Sequence, residues 1–134
     1  MLWIKKEKTM KKAIATSNAP AAIGPYSQAI EAGNTVYVSG QLPIVPATGA
    51  FPSDDIKDQT RASLANVKAI LAENGMDMSN VVKTTVLLSD IADFADMNGV
   101  YAEFFSEPYP ARAAFQVAAL PKGAKVEIEV VAVK

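Results

Sequence analysis

Val126-Glu-Ile-Glu-Val-Val-Ala-Val133, the last stretch of the chain, alternates between two sets of side chains. Successive residues of a β-strand point to opposite faces of a sheet, so one face of this predicted strand is wholly apolar. The other face mixes Glu127 and Glu129 with two valines. An apolar face of this kind suits a sheet whose core is covered by helices. We therefore predict a strand over residues 125–133 with one face in the core.

A second strand is predicted just upstream, roughly over residues 112–118, and the turn Pro121-Lys-Gly123 would join it to the last strand. This arrangement would place Arg112 and Glu127 on neighbouring strands. An arginine binds a carboxylate through two parallel N–H bonds, and a glutamate can position a water or move a proton. Together they could grip a small carboxylate and attack it with water. The structural alternative is a cross-strand ion pair, worth about 0.2–1 kcal/mol.

Four more strands are predicted in the rest of the chain, at residues 12–16, 27–32, 35–40 and 80–89. The second and third of these are expected to form a hairpin around Gly33-Asn34. Together with two helices, they predict the order β-β-β-α-β-α-β-β in a single α+β domain. Two helices can cover only one face of such a sheet. The valines on the other face then need a partner, and self-association would supply one.

The two helices are predicted from apolar residues that recur at helical spacing. The first runs from about Ile56 to Leu71, and Gly75 is expected to end it in a left-handed conformation. Its N-terminal cap is expected to come from Ser53, Asp54 or Asp55. The second helix is expected to begin near Asp90 or Asp93. Its apolar stripe is expected to pack in the core and consists of Phe94, Met97, Tyr101, Phe104 and Phe105.

Composition limits the chemistry that this chain can perform. Its 134 residues include no His and no Cys. A Ser-His-Asp triad, a cysteine nucleophile, a Cys/His zinc site and a disulfide framework are therefore excluded. An enzyme built on this chain has to use carboxylates, Arg, Lys, Tyr, amides and backbone groups. The lack of disulfides is compatible with the cytoplasmic location that we expect.

Charge is unevenly distributed along the chain. Five lysines and one glutamate fall in the first 12 residues, whereas residues 13–134 hold 8 basic and 13 acidic groups. This acidic body gives no electrostatic reason to bind nucleic acid. We expect residues 1–9 to be a flexible N-terminal extension and residues 10–134 to form the domain. The apolar runs are too short to cross a bilayer, and none follows the basic start as a signal peptide would require.

Three further groups of residues are candidates for a binding site. The tight turn Ile23-Gly24-Pro25-Tyr26 delivers a tyrosine to the start of a strand, and the alternative is a purely structural turn with a packed tyrosine. Ser39-Gly40 lies at a strand end, where glycine allows either close approach to a ligand or a simple bend. Asn98 and Gly99 are poor helix formers within the second helix. They indicate either a ligand-facing amide or a close packing contact.

In order and spacing, these groups resemble the RidA/YjgF family of reactive-intermediate deaminases. The resemblance runs from about residue 11 to the C-terminus. The matching stretches are Asn18–Ala29, Ser39-Gly40-Gln41, Asn66–Ile70, Val82–Val86, Tyr101–Phe105, Pro110-Ala-Arg112 and Lys125–Glu129. No single stretch is specific, but the collinear set is a strong signal.

This resemblance implies a chorismate-mutase-like α+β fold in a homotrimer, with active sites between the subunits. It also implies hydrolysis of 2-imino acids, formed from enamines that pyridoxal-dependent dehydratases release. The products are 2-keto acids and ammonia, and no cofactor or metal takes part. The family's substrate-gripping arginine corresponds to Arg112, and its water-positioning glutamate corresponds to Glu127. The substrate-binding residues are expected to be Tyr26, Ser39, Gly40, Asn98 and Ala114.

One departure from the family pattern falls two residues after the arginine, where many relatives have a cysteine and this chain has Ala114. The family's chemistry at this position is thought to use main-chain groups, so the alanine leaves deaminase chemistry in place. It removes any modification or redox control of a thiol. The loop before Pro110 also looks shorter than in some members, which bears on substrate size.

Two other functions fit the sequence less well. A non-catalytic trimer that senses small keto or amino acids would use Arg112 but would gain little from a second anion such as Glu127 nearby. A ribonuclease or translation inhibitor, a role ascribed to some relatives, is disfavoured by the lack of histidine and by the acidic body of the chain.

Overall fold

A computed structural model of the protein describes residues 10–134. The predicted extension, residues 1–9, lies outside the described residues. The six predicted strands and two predicted helices are present. The strands are β1 (Lys11–Ile14), β2 (Ala29–Ala32), β3 (Thr35–Gln41), β4 (Val81–Leu88), β5 (Ala111–Gln116) and β6 (Val126–Val133), and the helices are α1 (Ile56–Glu73) and α2 (Phe94–Phe104). Three short 3-10 helices, not predicted from the sequence, cover Met78–Asn80, Ile91–Asp93 and Pro121–Gly123.

The first three strands form an antiparallel meander. Ala32 pairs with Thr35 across the two-residue loop Gly33-Asn34, so the predicted hairpin is confirmed. Gly33 has a φ of 63°, a left-handed conformation that glycine adopts without steric cost. Strand β1 pairs with the outer side of β2 and is one edge of the sheet.

Helix α1 is capped at both ends as the sequence predicts. Of the three candidates for the N-terminal cap, Asp55 takes the role, and its side chain accepts hydrogen bonds from the N–H groups of Lys57 and Asp58. Gly75 follows the last turn with a φ of 71°. Helix α2 begins at Phe94, and the 3-10 turn that leads into it is capped by Asp90.

The core lies between the two helices and one face of the sheet. Leu64, Val67, Ile70 and Leu71 of α1 are fully buried there. The alternating apolar residues of β6 face them, and Val126, Ile128, Val130 and Ala132 are all at most 2% exposed. The prediction of one wholly buried face on the last strand is therefore confirmed, with both helices on that face.

The strand order within the sheet is β1-β2-β3-β6-β4-β5. The prediction that the strands carrying Arg112 and Glu127 are neighbours is wrong, because β4 lies between β5 and β6. Strand β5 runs parallel to β4, and α2 makes the crossover that a parallel pair needs. The connection after β5 is tied to the end of β4 on both sides. Val117 N–H donates to the carbonyl of Leu88, and Ser89 N–H donates to the carbonyl of Lys125.

Arg112 and Glu127 also lie on opposite faces of the sheet. Arg112 pairs with Thr84, which is fully buried under α2. Glu127 pairs with Leu87, whose side chain alternates to the other face. The cross-strand ion pair considered for these two residues is thus excluded within one chain.

The face away from the helices has no cover from the described residues. It combines apolar and charged side chains, and Tyr37 and Phe115 on it are 52% and 47% exposed. Val131 and Val133 on β6 lie on the same face, half-buried by their neighbours. Within residues 10–134, neither helix has the length and apolar character needed to cross a membrane.

Candidate active site

Arg112 is held in a fixed orientation by three side chains of α2. Its Nη1 donates to Asn98 Oδ1 at 2.6 Å. Its guanidinium carbon lies 4.8 Å from the centre of the Tyr101 ring and 5.4 Å from the centre of the Phe94 ring. A guanidinium over an aromatic face is attracted by the ring quadrupole. The arginine is therefore oriented by the protein while its remaining N–H groups stay available to a ligand.

Tyr101 is itself held in place by a hydrogen bond to the sheet. Its hydroxyl forms a 2.9 Å hydrogen bond with Thr84 Oγ1 on β4, and both residues are buried. The apolar spacing of Tyr101 and Phe94 predicted core packing alone and did not indicate their contact with Arg112. The helical spacing carries the missing signal, because residues at i, i+4 and i+7 share one face of a helix and Phe94, Asn98 and Tyr101 stand at those positions.

The guanidinium opens onto a surface cavity of about 410 Å³. This Arg112 cavity is lined by Asn98, Tyr101, Ala102, Tyr109, Pro110 and Arg112. Tyr109 is half-exposed at its rim. Apart from its chain neighbours and its own helix backbone, Gly99, next to Asn98, has no atom of the chain within 4 Å of the position that a Cβ would occupy, so no close packing contact within the chain accounts for this glycine.

Glu127 lies on the uncovered face of the sheet, away from this cavity. Burial raises the pKa of its carboxyl above the ordinary value, and the neighbouring charge of Glu129 raises it further. The two carboxylates are two residues apart on one strand and therefore share a face. Glu127 thus holds its proton more tightly than an exposed glutamate, which suits a group that exchanges protons.

Gly40 gives Glu127 the space that it occupies. A Cβ at position 40 would lie 2.0 Å from Glu127 Oε2 and 2.9 Å from its Cδ. Both distances are shorter than real Cβ contacts, so any side chain at position 40 would displace the carboxylate. The strand-end position of Gly40 predicted either close approach of a ligand or a bend, whereas the group that approaches it closely is the Glu127 carboxylate.

Ser39 and Tyr26 lie beside Gly40. Ser39 Oγ donates to the carbonyl of Ser27 at 2.6 Å, so its hydroxyl offers a ligand only lone pairs. Gln28 holds the preceding loop, because its side-chain amide donates to the carbonyl of Pro20 and accepts from Thr16 N–H. Tyr26, exposed at the end of this loop, lines a cavity of about 280 Å³ together with Gly40.

Ala114 lies on β5 with its side chain packed partly against the core, opposite the buried Val86. Strand β5 is the other edge of the sheet. Val117 N–H points to β4, and backbone groups alternate in direction along a strand. The N–H and C=O of Ala114 are therefore expected at the free edge, on the same side as those of Arg112.

The predicted site residues thus fall into two groups in one chain. The first is the Arg112 group, formed by Arg112 and Asn98, with Ala114 on the same strand. The second is the Glu127 group, formed by Tyr26, Ser39, Gly40 and Glu127. The sheet separates the two groups, so they do not share a cavity within one chain. Across residues 10–134, no cluster of three or more His, Cys, Asp or Glu side chains that could hold a metal ion is found.

The mixed six-stranded sheet, with two helices on one face, defines this chain as a small α+β protein. The family model described as "Endoribonuclease L-PSP" matches residues 16–134. The chain belongs to this family, which is the RidA/YjgF family that the sequence resembles.

Individual relatives cover nearly the whole chain. The RutC family protein y4sK of Sinorhizobium fredii is 59% identical over 91% of this chain and 97% of its own length. The 2-iminobutanoate/2-iminopropanoate deaminase of Bos taurus is 51% identical over 93% of this chain and 91% of its own length. Among solved structures, Escherichia coli TdcF with bound serine is 48% identical, covers 92% of this chain and 98% of its own, and has a TM-score of 0.87.

Proposed function

We propose that this protein hydrolyses reactive 2-imino acids to 2-keto acids and ammonia without a cofactor. The observation that carries the proposal is the Arg112 guanidinium, which Asn98 and Tyr101 fix at an open cavity. The bovine relative named for this reaction and the serine-bound relative support a small substrate with a carboxylate. We place the activity in the cytoplasm, beside the dehydratases that would release the enamine precursors.

The active site is proposed to lie between subunits of a homotrimer. Arg112 and Glu127 are on opposite faces of one sheet, so a cavity that contains both needs two chains. The uncovered sheet face, on which Tyr37 and Phe115 are exposed among charged side chains, supplies a surface for such contacts. In this arrangement the Arg112 group of one subunit meets the Glu127 group of its neighbour.

Each residue then has a distinct role in the hydrolysis. Arg112 binds the substrate carboxylate through two parallel N–H bonds and fixes its plane. Glu127 holds the attacking water and takes its proton as the oxygen bonds to the imine carbon. Glu127 passes this proton to the nitrogen, which gives a carbinolamine. A second proton transfer, from the carbinolamine hydroxyl through Glu127 to nitrogen, then lets the C–N bond break, so that ammonia leaves and the C=O bond of the 2-keto acid forms. Backbone groups of Ala114 orient the imine nitrogen, while Tyr26, Ser39 and Asn98 line the site.

The direct test couples a threonine or serine dehydratase to this protein. The dehydratase releases an enamine that tautomerises to the imine, and the rate of keto acid appearance is followed with and without the protein. The proposal expects a faster release of keto acid in proportion to the protein added. An unchanged rate at all protein concentrations would contradict it.

A non-catalytic trimer that binds small carboxylates is the second candidate, and the serine-bound relative favours it. The two functions differ in what they require of Glu127. A sensor would bind keto acids with equal affinity in wild type and Glu127→Gln and would not accelerate imine hydrolysis. An endoribonuclease, which the description of the family model raises, would instead cleave RNA in a salt-dependent manner.

A further inference from the structure

A lysine side chain that the proposed mechanism does not use lines the cavity beside the Glu127 group. This cavity of about 280 Å³ is lined by Tyr26 and Gly40 and by the apolar residues Ile23, Leu42 and Ile44. Lys122 is the one charged residue among its lining residues. Gly40 borders both this cavity and the Glu127 carboxylate, which is not itself among the lining residues.

The backbone at Lys122 has an unusual conformation. With a φ of 60° and a ψ of 19°, Lys122 is the only non-glycine residue of positive φ in the described part of the chain. Glycine or asparagine adopts this conformation at lower cost. A residue kept in a sparsely populated conformation often has a role that its side chain provides. Here the conformation belongs to the Pro121–Gly123 turn, which places the lysine at the cavity.

The ammonium of Lys122 has no acidic partner among residues 10–134. The ion pairs in this part of the chain use Lys12, Lys134 and Arg61. Glu127 also gains no lowering of its pKa from a nearby cation, since burial and Glu129 are the causes of its shift. The charge of Lys122 is therefore available to a ligand in the cavity and does not neutralise the proton acceptor.

We propose that this cavity receives the substrate side chain and that Lys122 is a specificity-determining residue favouring 2-imino dicarboxylates. This inference rests on the proposed deaminase function. A substrate held by its first carboxylate on Arg112, with its reacting carbon at Glu127, would extend its side chain past Gly40. The apolar wall accepts the methylene groups, and Lys122 binds the terminal carboxylate by a charge-assisted hydrogen bond.

The test compares two imines made by an amino-acid oxidase, 2-iminopropanoate from alanine and 2-iminoglutarate from glutamate. Lys122→Asn removes the charge and suits the left-handed backbone, so it should fold as the wild type does. We expect it to lose at least about tenfold in kcat/KM for 2-iminoglutarate. Its kcat/KM for 2-iminopropanoate should stay within about twofold.

Two further variants isolate the effect of charge at this position. Lys122→Arg keeps the charge and should retain hydrolysis of 2-iminoglutarate. Lys125→Gln removes a nearby charge that does not line the cavity and should leave the ratio of the two rates unchanged. If Lys122→Asn lowered kcat/KM for both imines by the same factor, or for neither, the inference would be overturned while the deaminase function remained.

Binding of the products gives an independent measurement. By calorimetry, wild type should bind 2-oxoglutarate more tightly than pyruvate, and Lys122→Asn should lose about tenfold of the affinity for 2-oxoglutarate only. Hydrolysis of neither imine by the wild type would contradict the proposed function itself. In that case, equal affinity of wild type and Lys122→Asn for 2-oxoglutarate would overturn the role of Lys122 as well.

Discussion

Arg112 differs from a surface cation because the protein fixes the plane of its guanidinium. Asn98 takes one Nη1 hydrogen, and Tyr101 and Phe94 support the plane. Lysine keeps the charge but offers a compact point donor. We therefore expect Arg112→Lys to lose about tenfold or more in kcat/KM, and Arg112→Ala to lose more.

The matched control for this prediction is Arg61→Lys. Arg61 is an exposed arginine on α1 that pairs with Glu103, 3.1 Å away. Its replacement should leave kcat/KM unchanged, because exposed pairs of this kind contribute little. Steady-state kinetics with 2-iminobutanoate measures all three variants. Wild-type kcat/KM in Arg112→Ala would show that the arginine does not anchor the substrate.

The raised pKa of Glu127 predicts that kcat/KM falls on the acidic side of its pH profile, the acidic limb. Burial and Glu129 raise the pKa of Glu127, so the carboxylate needed to accept a proton is lost at a higher pH than for an exposed glutamate. We expect kcat/KM to fall as pH drops through this raised pKa. Glu129→Gln removes one cause and should move the limb to lower pH, whereas Glu127→Gln should lower kcat strongly at every pH.

The same shift predicts how the unfolding free energy depends on pH. Because the folded pKa of Glu127 is raised, its protonated form is favoured by folding. Its contribution is fully present below the unfolded pKa and is lost as pH rises through the folded pKa. Chemical denaturation at two pH values should therefore show a smaller loss of stability toward neutral pH in Glu127→Gln than in wild type.

Gly40 tests whether the position of the Glu127 carboxylate matters. In Gly40→Ala the new Cβ would meet Oε2 at 2.0 Å, so the carboxylate has to move. We expect kcat to fall with little change in KM, and the acidic limb to shift to lower pH as Glu127 becomes more exposed. Gly99→Ala is the control, since no atom outside its own helix backbone and chain neighbours lies within 4 Å of its Cβ position. It should stabilise α2 by about 0.5–1 kcal/mol. An unshifted acidic limb in Gly40→Ala would show that Glu127 does not depend on this glycine.

At the scale of elements, α2 joins the core to the site through Tyr101. Tyr101→Phe keeps the ring under Arg112 but leaves the buried Thr84 hydroxyl without its partner. We expect a loss of about 1–3 kcal/mol in the free energy of unfolding, with kcat/KM nearly unchanged. Tyr101→Leu also removes the ring, and KM should rise as Arg112 loses its orientation. Denaturant unfolding and kinetics separate the two effects. A similar KM in both variants would show that the ring does not position Arg112.

Periodicity predicted the elements of this fold more reliably than their neighbours. The alternation in 126–133 and the helical stripe from Ile56 to Leu71 are local patterns, and both elements formed as expected. The turn Pro121–Gly123 suggested a hairpin, but strand order depends on packing of the whole sheet. Strand β4 lies between β5 and β6. Helix α2 connects β4 to β5 and returns the chain to the start of the sheet, so that β5 pairs parallel to β4 on its outer side.

Only part of the candidate site could be predicted, because some of its contacts also depend on the packing of the whole sheet. Residue types and the family resemblance indicated Arg112, Glu127, Tyr26 and Asn98, and the Arg112–Asn98 contact is present. The dependence of Glu127 on Gly40 arises between two strands distant in sequence. No periodicity in either strand encodes that contact, so the sequence alone did not show it.

For the whole molecule, the decisive quantity is the number of chains that build one site. Arg112 and Glu127 lie on opposite faces of one sheet, so the proposed site combines one residue from each of two subunits. Arg112→Ala keeps an intact Glu127, and Glu127→Gln keeps an intact Arg112. In mixed trimers, about a quarter of the sites would combine the two intact residues if assembly is random and the chains are equal in number. We therefore expect co-expression of the two inactive variants to restore about a quarter of wild-type activity.

The control for this complementation pairs Arg112→Ala with the double variant Arg112→Ala/Glu127→Gln, which supplies no intact Arg112 and should restore nothing. Light scattering should give the mass of a trimer for the mixture. If trimers that contain both chains were as inactive as either variant alone, the whole site would lie within one subunit. That result would contradict a site shared between two subunits.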